Sequence, residues 1–253
     1  MIVYEKEDTY VLIAQQDHAR ISGDLMAAWQ EELLGERISE VIQAAYEHDR
    51  SWAGLDVDPI WNDAAGRPYS FRDFPPNIRF LHYRHGIDEL ERINPYAAVL
   101  SSLLYTMLAE RADTPETRAF VSREKGRQAN IQAELGLYME TLHYHLNALV
   151  LCDELSLFLC MEPPGTPIRQ YEWFASGFVY PQPRGCGGRR IKAQWQGDHV
   201  VVLSEGPFAR PVDTVLAYKE VCKGETKQLG IAAAYKQAEL RSHRVRFLVG
   251  EVK

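Results

Sequence analysis

Four residues of this 253-residue chain have the types and order to hold a metal ion: His18, the adjacent pair His48-Asp49, and Asp153. Imidazole nitrogens and carboxylate oxygens suit a first-row divalent ion. Such a set leaves coordination positions for water and substrate, as hydrolytic metal sites require. An isolated His-Asp pair carries little weight, because a solvated helix can hold one by chance. The flanking residues add weight. His18 opens one apolar-periodic segment, His48-Asp49 closes the next, and Asp153 interrupts Leu149-Val-Leu-Cys-Asp-Glu-Leu-Ser-Leu-Phe-Leu. A carboxylate buried in that run is costly unless a cation or hydrogen-bond donors compensate it. A second reading stays open: Asp153 faces solvent beside Glu154, while His18 caps or packs.

The elements that must position these residues follow from hydrophobic period. Residues 1–4 and 10–14 read as two short strands around a polar turn. Residues 17–34 and 38–49 read as amphipathic helices. The stretch 54–76 is punctuated by prolines and Asp or Asn, yet it carries Trp61, Tyr69, Phe71 and Phe74, which suits an ordered cover. Further helices are expected over 77–92, 95–110, 115–142 and 143–160, with Asn94 capping and Pro95 at the first helical position. Beyond Pro163-Pro164-Gly165 the texture turns β-like, over 171–180, 190–196, 199–204 and 212–221, with Gly197-Asp198 as a hairpin turn. The tail reads both ways, helical over 231–240 and strand-like over 245–249. The expected fold is mainly α, a helical bundle with a small β-rich element. It divides into a hairpin (1–14), a helical domain (15–162) and a β-rich end (163–253), and the hairpin is free to join that end.

Composition bounds the function. With 46% hydrophobic and 25% charged residues, the chain can bury a core without disulfides. A net charge of -7 argues against a general nucleic-acid binder. No segment has the pattern of a secretory signal or the length of a membrane span. Cys152, Cys160, Cys186 and Cys222 lack C-x-x-C spacing, which suits reduced thiols in a cytoplasmic protein. His143 and His145 lie two apart, on different helix faces. The run Gly185-Cys-Gly-Gly-Arg-Arg190 lacks the lysine of a phosphate loop and reads as a hairpin loop.

The order His…His-Asp…Asp resembles the signature of the HD superfamily, helical metal-dependent phosphohydrolases. The resemblance implies that His18, His48, Asp49 and Asp153 bind one divalent metal (Fe, Mn, Zn, Ni or Mg). Larger members add a His-x-x-x-Gly motif, which His82-Tyr-Arg-His-Gly86 matches, and a further histidine near 101–105, where this chain has Leu104. Gln16-Asp-His-Ala, Glu47-His-Asp, Asn94-Pro-Tyr-Ala-Ala-Val-Leu-Ser-Ser and Leu151-Cys-Asp-Glu-Leu-Ser-Leu-Phe-Leu-Cys160 resemble, more closely, an uncharacterised bacterial domain-of-unknown-function family with an HD-like helical body. Departures matter too. The superfamily continues its dipeptide as His-Asp-x-Gly-Lys, whereas this chain reads His48-Asp-Arg-Ser-Trp52.

The implied activity is a phosphohydrolase acting through metal-activated water on a small phosphorylated molecule or nucleotide. Asp49 would be ligand and orienting group. His82 and His85 would contact phosphate or move a proton, unless they are packed helix histidines. Arg50 and Arg84 would meet phosphate oxygens, unless they are surface charges. Two other classes stay open: an HD-type di-iron oxygenase, against which Leu104 counts, and a non-catalytic metal- or ligand-binding module. The expected partner is a small phosphorylated ligand rather than a membrane or nucleic acid, with homo-oligomerisation left open.

Overall fold

In a computed structural model, which describes residues 1–179 and 190–252, the chain opens with a hairpin, β1 (Ile2–Glu5) and β2 (Thr9–Ile13). It passes at once into α1 (Gln15–Ala27), the single turn α2 (Glu31–Leu34) and α3 (Ile38–Glu47). A 3-10 turn (Arg50–Trp52), the short α4 (Ala53–Asp56) and the ribbon β3 (Trp61–Asn62) and β4 (Arg67–Pro68) lead to four longer helices. These are α5 (Pro76–Ile93), α6 (Pro95–Ala109), α7 (Pro115–Leu135) and α8 (Met139–Cys160). Next come the pair β5 (Phe178–Val179) and β6 (Arg190–Ile191), then β7 (Ala193–Gln196), β8 (Val200–Leu203) and β9 (Val212–Cys222). The described chain closes with α9 (Lys223–Leu229), α10 (Ile231–Gln237) and β10 (Leu240–Val249).

The expectation of a mainly α bundle with a small β element is overturned. A six-stranded mixed sheet, in the order β1-β2-β9-β10-β8-β7, makes the fold α/β. Its register joins the two ends of the chain: Thr9 pairs with Cys222 and Leu12 with Lys219. All its pairs are antiparallel except β8 with β10. The main core runs from Ile2 and Val11, through the helices, to Val245 and Phe247, and a smaller cluster joins Met1, Tyr10 and Leu12 to Val221, Ile231 and Ala234.

Local chemistry explains most boundaries. Prolines at the first turn begin α5, α6 and α7, where a missing N–H costs nothing. The side chains of Asn94 and Thr114 cap α6 and α7 by accepting from the Ala97 and Thr117 amides. The expected helix 115–142 is interrupted at Gly136, a left-handed C-cap, and α8 starts afresh at Met139. Both readings of the tail are realised in turn, as α10 and then β10. The glycine-rich run 185–190 lies outside the described residues except for Arg190. Among the described residues, no helix is long and apolar enough to cross a membrane.

Two close backbone approaches set the spacing of the elements around His48 and Asp49. A Cβ at Gly23 would sit 2.1 Å from the Tyr46 ring, so this glycine lets α1 lie close against α3. A Cβ at Gly86 would sit 2.5 Å from Ser51 Cα, so α5 presses its backbone onto the turn just after Asp49.

Candidate metal centre

Helix α1 packs between α3 and α8, and each contributes to one cluster. His18 stands on the first turn of α1, His48 caps α3, and Asp153 lies mid-way along α8. Neighbours on a regular helix point about 100° apart, so adjacent ligands need a break in the helix. Here the chain leaves α3 at Asp49 (φ -101, ψ 17), which swings the carboxylate back beside the ring of His48.

The donor atoms of His18, His48 and Asp49 form one close group, and Asp153 stands beside its two imidazoles. His18 Nε2 lies 3.3 Å from His48 Nε2, and Asp153 Oδ1 lies 3.4 Å from both. Asp49 Oδ2 is 2.9 Å from His18 Nε2 and 3.8 Å from His48 Nε2. Ligands held at about 2.1 Å by one ion stand about 3.4 Å apart in a tetrahedron and about 3.0 Å apart at an octahedral edge. The ring planes cross at 83° with centroids 5.1 Å apart, so the two imidazoles meet through their edges rather than by stacking.

The outer ring nitrogens set the tautomers. His48 Nδ1 donates to the Ala45 carbonyl at 2.8 Å. His18 Nδ1 donates to Ser156 Oγ at 2.6 Å, and the Ser156 hydroxyl donates in turn to the Asp153 carbonyl. Both Nε2 atoms are thereby turned to the cluster, where a proton or a metal cation can sit between them and the carboxylates. The Tyr105 hydroxyl donates to Asp49 Oδ1 at 2.9 Å. Burial, then Asp49, holds that phenol well above its ordinary pKa, so it stays a donor.

The electrostatics agree. Burial of His48 opposes its charged form, but Asp49 and Asp153 outweigh it and lift the pKa to about 9. Burial likewise opposes ionisation of Asp49, yet His48, His18 and Tyr105 bring its pKa below the ordinary value. His18, His48 and Asp49 are 1%, 2% and 5% exposed, so two buried imidazoles and a carboxylate share a site that favours positive charge. The residues present therefore fit a divalent metal.

The cluster floors a cavity of about 430 Å³, within the range of small-ligand sites. Its wall carries Arg72, Arg79 and Arg111 with Trp52, Phe80, Tyr83, Leu104 and Leu157. Leu104 thus faces this cavity, at the position where the resemblance would place a second-metal histidine. The other expected site residues are not among those lining it. Arg50 binds Glu47 and Glu89. His85 is 73% exposed, 3.6 Å from Glu89. His82 and Arg84 are half-buried on α5.

The arginines and tyrosines of the wall escaped sequence reasoning. Arg79 and Tyr83 are spaced i, i+4 on one face of α5, a signal that was available. Tyr83 stacks on Tyr105 with centroids 3.8 Å apart. Elsewhere, His145 is a structural histidine that accepts from the Tyr96 hydroxyl and donates to the Leu34 carbonyl; burial lowers its pKa. Asp198, His199 and His243 form a second donor group at the surface. Their imidazoles stack at 13° with centroids 4.4 Å apart, so the lone pairs run side by side. Cys152, Cys160 and Cys222 are free thiols, and Cys186 lies outside the described residues.

Neither a curated protein nor a solved structure matches the chain. The sequence model of DUF3891, described as a protein of unknown function, matches residues 1–223. That span holds His18, His48, Asp49, Asp153 and every residue named on the cavity wall, and the chain belongs to the DUF3891 family.

Proposed function

We propose that this protein is a metal-dependent phosphohydrolase acting on a small phosphorylated molecule or nucleotide. One observation carries the reading: two buried imidazoles and two carboxylates meet at the floor of a cavity whose wall holds three arginines. The donor order His18…His48-Asp49…Asp153 resembles that of the HD superfamily. The likeness is carried by the ligand set, not by the fold.

A divalent metal, when bound there, supplies a Lewis acid and a water acidified toward neutral pH. The chain's own residues do the rest. His18 and His48 are held as Nε2 donors by Ser156 and Ala45. Tyr105 occupies Asp49 Oδ1, which leaves Oδ2 turned to the cluster and able to orient the nucleophile. Arg72, Arg79 and Arg111 supply the positive wall for phosphoryl oxygens. Trp52, Phe80, Leu104 and Leu157 exclude bulk water, which strengthens each of these interactions. Leu104 on the wall weighs against a di-iron oxygenase.

Phosphate release from a panel of phosphate monoesters, with each divalent metal added in turn, tests the reading. Wild type turns over, and Asp49→Ala loses at least about 100-fold. Equal rates in the two proteins remove the hydrolase claim. Ligand binding without turnover in the wild type assigns a binding module instead.

A further inference from the structure

Two anchored loops meet at the rim of the cavity. In one, the Ser70 amide donates to Asp73 Oδ1 at 2.7 Å and Phe74 is buried, which leaves Arg72 projecting. In the other, Tyr171 and Phe174 are buried against Phe158, with ring centroids 4.5 Å and 6.3 Å from it. Glu172 and Trp173 project from between them. Arg72 Nη2 donates to Glu172 Oε2, and the Arg72 guanidinium lies 4.5 Å over the Trp173 ring. Phe71 meets the same indole edge-on, with centroids 5.9 Å apart. All four residues line the cavity that the metal cluster floors.

Arginine reads phosphate through paired N–H donors, and a glutamate carboxylate presents the same planar pair of acceptor oxygens. A phosphate monoester carries up to about twice the charge. The Arg72–Glu172 pair is solvent-exposed (38% and 70%), and exposed pairs are weak enough to exchange. We infer that Arg72 reads the anionic group of the cavity's ligand, and that Glu172 holds it in the free protein as an internal stand-in for that group. This rests on the reading that the cavity takes a phosphorylated ligand. Binding then transfers the guanidinium from the Glu172 carboxylate to the phosphate and changes the surroundings of Trp173.

Inorganic phosphate is titrated into the metal-loaded protein by calorimetry, with tryptophan emission in parallel and Trp173→Phe to locate the signal. Glu172→Gln keeps the shape, removes the charge and binds phosphate about 3-fold more tightly. Arg72→Gln binds about 10-fold more weakly. A brace that only positions Arg72 would give the opposite result, so unchanged or weaker binding in Glu172→Gln overturns the stand-in role. Unchanged binding in Arg72→Gln, or no binding to the wild type, overturns the assignment. Turnover of phenyl phosphate separates the two claims. Hydrolysis with an unaltered KM in both variants removes this inference and keeps the hydrolase. Phosphate bound through Arg72 without any turnover keeps the inference and removes the hydrolase.

Discussion

The described residues hold two histidine–histidine–aspartate groups, and they differ in burial and in ring geometry. At His18, His48 and Asp49 the imidazoles are buried and their planes cross at 83°. At Asp198, His199 and His243 the group is largely exposed and the planes are near parallel at 13°. Backbone carbonyls engage ring nitrogens in both: Ala45 in the first, Arg244 and Asp198 in the second. A carbonyl that fixes a tautomer is therefore not enough to make a metal site. What separates the groups is where the free lone pairs aim, and whether water can solvate the donors instead. In the buried group the imidazoles and the carboxylate are held together at the cavity floor, where a bound cation would offset the cost of burying them.

The comparison can be sharpened first by pH. In the metal-free protein, charged His48 stabilises the fold fully below its ordinary pKa of 6.5, and that contribution is lost as pH rises through about 9. Metal binding runs the other way, because it requires the neutral ring. Affinity at the buried group should rise about tenfold per pH unit from 7 to about 9 and then level off. Isothermal titration across that window measures it, and a flat profile would dissolve the link between His48 and the ion.

A smaller effect is expected from Tyr105→Phe. It removes the donor to Asp49 Oδ1 while keeping the ring stacked on Tyr83. Metal affinity should fall about tenfold, as for other groups that orient a ligand. An unchanged affinity would mean that burial alone positions Asp49.

The smallest expected effect is steric. Gly86→Ala would drive a Cβ into the Ser51 backbone, costing about 1–3 kcal/mol and lowering Tm by several degrees. Metal affinity should fall as well, since the same turn carries Asp49. A loss of stability with full affinity would uncouple α5 from the cluster.

The group His18, His48 and Asp49, with Asp153 beside it, was legible because three signals coincided with the residue order of the HD resemblance. A His-Asp pair closed one apolar helix, a histidine opened the helix before it, and an aspartate interrupted the apolar run of α8. The sheet was legible only in part: the opening hairpin was free to join the β-rich end, as it does, but the sheet's size and strand order were not readable. Its strands β1, β2, β7 and β8 are four or five residues long, and each looks like a local hairpin. The pairing that unites them, Thr9 with Cys222, spans almost the whole chain and leaves no local trace. The cavity wall was missed for a related reason. Arg72, Arg79 and Tyr105 come from a loop, α5 and α6, and only folding brings them to the side of Asp49. His82 and His85 sit on the right helix for the motif, but Tyr83 between them is the residue that lines the cavity.

Metal content of the purified protein, by elemental analysis, tests the central claim most directly. Wild type is measured beside His48→Ala and beside a His199→Ala/His243→Ala double variant. The account predicts about one equivalent of a divalent first-row metal in the wild type and the double variant, and none in His48→Ala. No metal in any of them after reloading, or occupancy that follows the surface pair, would contradict it.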